Sequence, residues 1–241
     1  MKVALAFWGI TRSLKYTIGS INTNVLDVLK KNKIEYDIFM HTYKLNNYIN
    51  KRTNEISNNV DNEEYNLLNP NFVEIHDQDN IKETLNLKKY RTHGDPWNTN
   101  YNSVDNFILA QYSKSKVVKM IKDTNTNYDY IIFLRPDVKY IKPLNLKIFK
   151  SVNNNTIAIP DKQLYGIFGF NDRFCICNRN TYQKYGDVFN LLLQISKRVP
   201  LHSETVLGRL MIKKYRLKIV RFRIEFARVR TNGVIVTKDL R

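Results

Sequence analysis

The sequence predicts an α/β fold built on a mixed, mainly parallel sheet flanked by helices. Three observations predict it. Short runs such as VALAFW, DIFM and YIIFL are apolar throughout, as strands covered on both faces are. Strand, helix and strand follow one another early in the chain, as in a βαβ unit. The C-terminal part alternates apolar and basic residues, which adds a few antiparallel strands late.

Each element follows from its pattern. Val3 to Trp8 is the first strand, ended by Gly9. From Ser20 to Lys30, Ile21, Val25, Leu26 and Leu29 recur at helical spacing. YDIFMHTY is the second strand and FVEI, Phe72 to Ile75, a third. The surroundings, residues 44–100, are polar and Asn-rich, and RTHGDPWNTN has loop chemistry suited to a lid or binding loop. Val104 to Lys122 is a helix, with Phe107, Ile108, Tyr112, Val117, Val118 and Ile121 on one broad face. YDYIIFLRPDV is the central strand, KYIKPL a short helix or turn, TIAIP a strand, and GIFGFNDRFCICN a strand–turn–strand. Thr181 to Ser196 and Glu204 to Lys214 read as helices, and RLKIVRFRIEFARVR as a half-exposed strand or hairpin.

With 241 residues, 43% of them hydrophobic, and no internal repeat or linker, the chain is expected to form one domain over 1–241. Its net charge is +17, and residues 197–241 carry 13 Lys and Arg against three Asp and Glu. Such a surface attracts anions: nucleic acid, acidic lipid or a phosphorylated substrate. Cys175 and Cys177, two apart on a strand, read as reduced core thiols. The N-terminal apolar run is too short for a signal peptide, and no run approaches the ~18 residues of a membrane span. A cytoplasmic location is the expectation.

In open parallel sheets, ligands bind beyond the carboxyl ends of the strands. The first strand delivers Gly9, Thr11 and Arg12 there, the second His41 and Thr42, and YIIFL delivers Arg135 and Asp137. Two cations suit a diphosphate. An aspartate among phosphates repels them unless it holds a divalent metal or a sugar hydroxyl.

The ordered set FWGITRS, YDIFMHT, NFILAQYSKSKVV, YDYIIFLRPDV, FGFNDRFCICN and HSETVL resembles small GT-A-type glycosyltransferases, the single-domain kind of large DNA viruses and bacterial surface-polysaccharide clusters. The resemblance runs from about residue 3 to residue 210. It implies transfer of a sugar from a nucleotide-diphosphate donor, with a UDP-sugar favoured, to a glycan, protein or lipid-linked acceptor. Under it, residues 1–140 are the nucleotide-binding part and 141–241 the acceptor side. Gly9 to Arg12 form a nucleotide-contacting loop, and His41 and Thr42 lie near the base or ribose. Gln111, Ser113 and Lys114 face the donor, and Asp172 and Glu204 reach the sugar or the acceptor as catalytic candidates. Arg135 and Asp137 stand where the family has its Asp-x-Asp motif, which implies a divalent metal, Mn²⁺ or Mg²⁺, on Asp137. The motif departs from the family's pattern, because Asp137-Val138 is followed by Lys139, and an ammonium ligates no metal. Either one carboxylate suffices with phosphates and waters, or basic groups take the metal's place.

Simpler roles compete for each residue. Asp137 after a proline suits a turn, Asp172 in Asn-Asp suits a hairpin, and Glu204 suits the first turn of a helix. His93, Asp95 and Trp97 are further loop candidates. For the whole chain, the alternatives are a nucleic-acid-binding basic protein or another nucleotide-using α/β transferase. Zinc-finger spacing, an RNP motif and both GxxxxGK[ST] and GxGxxG are missing, so no specific nucleic acid is expected. The basic C-terminal segment suits peripheral contact with an anionic membrane, where lipid-linked acceptors lie.

Overall fold

The computed structural model describes residues 1–58 and 60–240. Its strands are β1 (Lys2–Trp8), β2 (Glu35–Lys44), β3 (Asn47–Asn50), β4 (Glu55–Asn58), β5 (Phe72–Asp77), β6 (Tyr130–Leu134), β7 (Val138–Tyr140), β8 (Thr156–Pro160), β9 (Cys175–Asn178), β10 (Lys218–Phe222) and β11 (Phe226–Arg228). The α-helices are α1 (Leu14–Ile21), α2 (Asp27–Lys31), α3 (Gln78–Leu85), α4 (Asn102–Asp123), α5 (Tyr182–Gly186), α6 (Phe189–Ser196) and α7 (Ser203–Gly208).

Seven strands form one sheet in the order β10-β8-β9-β6-β1-β2-β5. Only β9 runs antiparallel to its neighbours β6 and β8; the other pairings are parallel. The expected mixed, mainly parallel sheet is therefore present, and it draws strands from both ends of the chain.

The uniform apolarity of β1 has a plain cause. Ala4, Ala6 and Trp8 enter the core beneath α4, while Val3, Leu5 and Phe7 enter the opposite core with Leu14 and Ile21 of α1. A strand buried on both faces has no polar side to show. Each fully buried large side chain stabilises by about 1.5–3 kcal/mol, so the paired cores anchor β1 and the loop that leaves it.

Several elements differ from the sequence reading. The first helix begins earlier, at Leu14, and passes through a π-helical turn, Asn22–Leu26, into α2. The helix expected over 181–196 breaks between α5 and α6, and that expected over 204–214 becomes π-helical after Gly208. KYIKPL supplies β7 rather than a helix. Of GIFGFNDRFCICN only Cys175–Asn178 is a strand; Tyr165 and Phe170 make a single antiparallel bridge. The basic C-terminal pattern is no hairpin. β10 joins β8 in parallel, whereas β11 pairs antiparallel with β7 in a separate two-stranded sheet. Alternation reports that one face is buried and is silent about which strand lies alongside. Within 44–100, β3 and β4 form a hairpin that the polar composition concealed.

Cys175 and Cys177 are free, buried and 3.6 Å apart at sulfur, as read from the sequence. Among the described residues no helix is long and apolar enough to cross a membrane.

Candidate active site

A cavity of about 330 Å³ opens at the carboxyl ends of β1 and β6. Because β9 is antiparallel to β6, the residues preceding β9 arrive at the same rim. Gly9, Arg12, Arg135, Asp137, Asp172 and Glu204 all line this cavity. Thr11, His41, Thr42, Gln111, Ser113 and Lys114 are buried and lie outside its lining.

Gly9 turns the chain out of β1 with φ of +95°, a conformation that glycine adopts without strain. Its N–H donates to Ser113 Oγ at 2.8 Å and to the His41 carbonyl at 3.2 Å. Ser113 Oγ also lies 3.1 Å from that same carbonyl and 2.8 Å from His41 Nδ1. His41 Nε2 lies 2.9 Å from His76 Nδ1. Burial, with the nearby His76 and Lys116 charges, pushes the His41 pKa down to about 3, so the ring is neutral. His41 and Ser113 thus brace the turn from beneath.

Arg12 and Arg135 meet on Asp137. Arg135 donates from Nε to Oδ1 at 2.8 Å and from Nη2 to Oδ2 at 2.6 Å, and Arg12 Nη2 donates to Oδ2 at 3.1 Å. Burial opposes the charge on Asp137, but the two guanidiniums outweigh it and hold its carboxyl far below the usual range. The β3–β4 hairpin steadies Arg12: the guanidinium lies 4.3 Å from the Tyr48 ring centroid, and Nε is 3.7 Å from Glu55 Oε1.

These contacts test the metal expected on Asp137. Both carboxylate oxygens already accept from guanidiniums, so a cation there would sit against two positive charges. Lys139 occupies the second acidic position of the motif. Among the described residues no three His, Cys, Asp or Glu converge as a metal-binding group. The residues present do not fit a divalent cation.

Asp172 and Glu204 are joined by one hydroxyl. Ser203 Oγ is 2.8 Å from Asp172 Oδ2 and 2.7 Å from Glu204 Oε2. A hydroxyl has a single proton, so both contacts are hydrogen bonds only when one carboxyl is protonated. Burial raises the Glu204 pKa, and the Asp172 charge raises it further. Burial also disfavours charge on Asp172, yet Arg173, Arg135 and Lys114 overcome it and lower its pKa. Of the two carboxyls, Glu204 is therefore the one more readily protonated. Among the described residues Lys114 has no hydrogen-bond partner for its side-chain nitrogen, which lies 4.7 Å from the Trp8 ring centroid and 4.5 Å from that of Tyr185. Burial lowers its pKa to about 8.

Trp97 of the expected binding loop also lines the cavity and stacks on His202 at 5.1 Å. Asp95 instead organises the loop, accepting from the backbone N–H groups of Trp97, Thr99 and Tyr101. His93 Nδ1 lies 2.8 Å from the Ser196 carbonyl.

Sequence reasoning missed Arg173, Arg228 and Arg230, which line the cavity too. Arg173 lay inside the NDRF motif. Arg228 and Arg230 are two apart on an alternating stretch, a signal that they share a face, but their basic neighbours read as solvent-facing charge.

No family model matches the chain, and no curated protein matches it. Solved structures do. The chain is similar in fold to glycosyltransferases. One is a glycosyltransferase involved in the glycosylation of the major capsid of PBCV-1, at 8% identity over 92% of this chain and 82% of that one, with a TM-score of 0.46. Another is the galactosyltransferase LgtC, solved with donor and acceptor sugar analogues, at 10% identity over 92% and 73% of the two chains, TM-score 0.46. A third is mouse xyloside xylosyltransferase 1, at 13% identity over 91% and 78%, TM-score 0.39. Likeness at TM-scores below 0.5 carries no residue role, donor or acceptor across to this chain.

Proposed function

We propose that this protein is a glycosyltransferase that moves a sugar from a nucleoside-diphosphate sugar, with a UDP-sugar favoured, to a hydroxyl of a glycan, protein or lipid-linked acceptor. The observation that carries the reading is the meeting, in one cavity, of a cationic cluster (Arg12 and Arg135) and a carboxylate pair bridged by the Ser203 hydroxyl (Asp172 and Glu204). Residues 1–140 supply Arg12 and Arg135, and residues 141–241 supply Asp172 and Glu204 together with Arg173, Arg228 and Arg230. The basic C-terminal segment keeps the molecule near anionic membrane when the acceptor is lipid-linked.

The chemistry follows from charge. The bond between the anomeric carbon and the diphosphate oxygen breaks, and its electron pair leaves with the diphosphate. The acceptor oxygen bonds to the anomeric carbon and gives up its proton. Arginines at the diphosphate stabilise the leaving charge. Asp172, held ionised, lies where it can stabilise the oxocarbenium character of the transferring sugar. Glu204, whose raised pKa makes it the stronger proton acceptor once ionised, takes the acceptor proton. Tyr48 and Trp97 supply ring faces for the sugar and acceptor.

The experiment is a panel of UDP-, GDP- and TDP-sugars incubated with the protein and simple glycoside acceptors, with released nucleoside diphosphate and glycosylated product both measured. One donor is expected to stand above the rest. Release from none, with or without acceptor, overturns the reading.

A further inference from the structure

We propose that arginines of this chain, rather than a divalent metal, neutralise the donor diphosphate, and that Asp137 is a positioning residue for Arg12 and Arg135. The inference rests on the glycosyltransferase reading and gives its donor site a chemistry.

The charge inventory of the cavity favours an anion. Six arginines and Lys238 line it, against Asp137, Asp172 and Glu204. The arginines arrive from separate segments, and most are held by carboxylates. Asp137 holds Arg12 and Arg135. Asp239 binds Arg228 through Nε at 2.8 Å and Nη2 at 2.9 Å. Glu55 accepts from Arg230 Nη1 at 3.3 Å and from the Thr231 N–H at 2.8 Å. Arg173 Nη1 donates to Gln163 Oε1 at 2.8 Å.

A guanidinium carries five N–H donors in a rigid fork. Each carboxylate uses two at most, which fixes the plane and leaves the remaining donors for a ligand. On Arg12, Asp137 takes only Nη2, and Nε, 3.7 Å from Glu55 Oε1, has no hydrogen-bond partner among the described residues. Donors held in advance of binding cost little to organise around a diphosphate. A metal on Asp137 would have to expel both guanidiniums first.

Calorimetric titration of the full chain with UDP, GDP and inorganic pyrophosphate tests this, once in excess EDTA and once with Mn²⁺. At least one nucleoside diphosphate is expected to bind in EDTA, with Mn²⁺ changing its Kd by less than about three-fold. Arg230→Gln and, separately, Arg173→Gln are expected to weaken that binding about ten-fold, the loss of one charge-assisted hydrogen bond. Their circular dichroism melts check that the fold is kept. Binding seen only with Mn²⁺, or unchanged in both variants, overturns the proposal. If sugar transfer persists in that case, the glycosyltransferase reading survives without it. Absence of diphosphate binding in both buffers, together with no diphosphate release from any sugar nucleotide, removes both.

Discussion

Asp172 and Glu204 meet on one hydroxyl, Ser203 Oγ, which lies 2.8 Å from Asp172 Oδ2 and 2.7 Å from Glu204 Oε2. Their environments push the two pKa values in opposite directions, and the proposed transfer would use Asp172 as the anion and Glu204 as the proton acceptor. Glu204→Gln is expected to lower kcat about 10²–10⁴-fold and to remove the acid limb of the pH–rate profile. Ser203→Ala removes a hydrogen bond that favours ionised Glu204, so the limb is expected to move to higher pH. An unchanged limb in both variants assigns the base elsewhere.

Asp137→Asn tests the buried ion cluster by stability. Removing the charge leaves Arg135 and Arg12 uncompensated, a loss of about 3–5 kcal/mol. The Asp137 pKa is lowered by folding, so its contribution is complete above the ordinary aspartate pKa and is lost as pH falls through the folded value. Urea denaturation is expected to show a gap between wild type and variant that is full at neutral pH and narrows below about pH 4.

Lys114 has the opposite sense. Its folded pKa is near 8, against 10.5 ordinarily. Between these values the unfolded chain binds more protons, so this group makes stability rise with pH across that window. Lys114→Met is expected to abolish the rise, read as the difference in denaturation midpoints at pH 8 and pH 10. A parallel slope in the variant shows that the ammonium is not the group responsible.

Two glycines separate conformation from space. Among the described residues nothing lies within 4 Å of the position of a Gly9 Cβ, but Gly9 has φ of +95°. Gly9→Ala is expected to cost about 1 kcal/mol and, by shifting the turn, to weaken nucleotide binding. At Gly186 the added carbon would strike Val118 and Phe133. Gly186→Ala is expected to cost about 1–3 kcal/mol with nucleotide affinity retained. Thermal melts and nucleotide titration of both variants distinguish the two effects.

Trp97 lines the cavity and stacks on His202, close to Ser203 and Glu204. Trp97→Ala is expected to raise the acceptor KM several-fold while leaving the donor KM within about two-fold, as loss of one aromatic contact of about 0.5–1.5 kcal/mol implies. The reverse pattern places the tryptophan on the donor.

The amino-acid sequence alone determined the parallel core and its functional rim. Apolar runs such as VALAFW and YIIFL admit few settings other than a strand covered on both faces, and the polar residues ending them mark the sheet edge. That was enough to single out Gly9, Arg12, Arg135 and Asp137; the resemblance to glycosyltransferases added Asp172 and Glu204, and the fold brings all six to one cavity. Only the tertiary structure decided which polar groups face that cavity and which brace it from behind. His41 and Ser113 satisfy each other and the Gly9 N–H below the surface, a long-range pairing that local pattern cannot encode. The same holds for Arg228 and Arg230. Their alternation shows a shared face, but β7, the strand that pairs with β11, and Glu55, which holds Arg230, lie far away in the chain. Whether a basic stretch coats a surface or lines a site depends on which distant strand it meets.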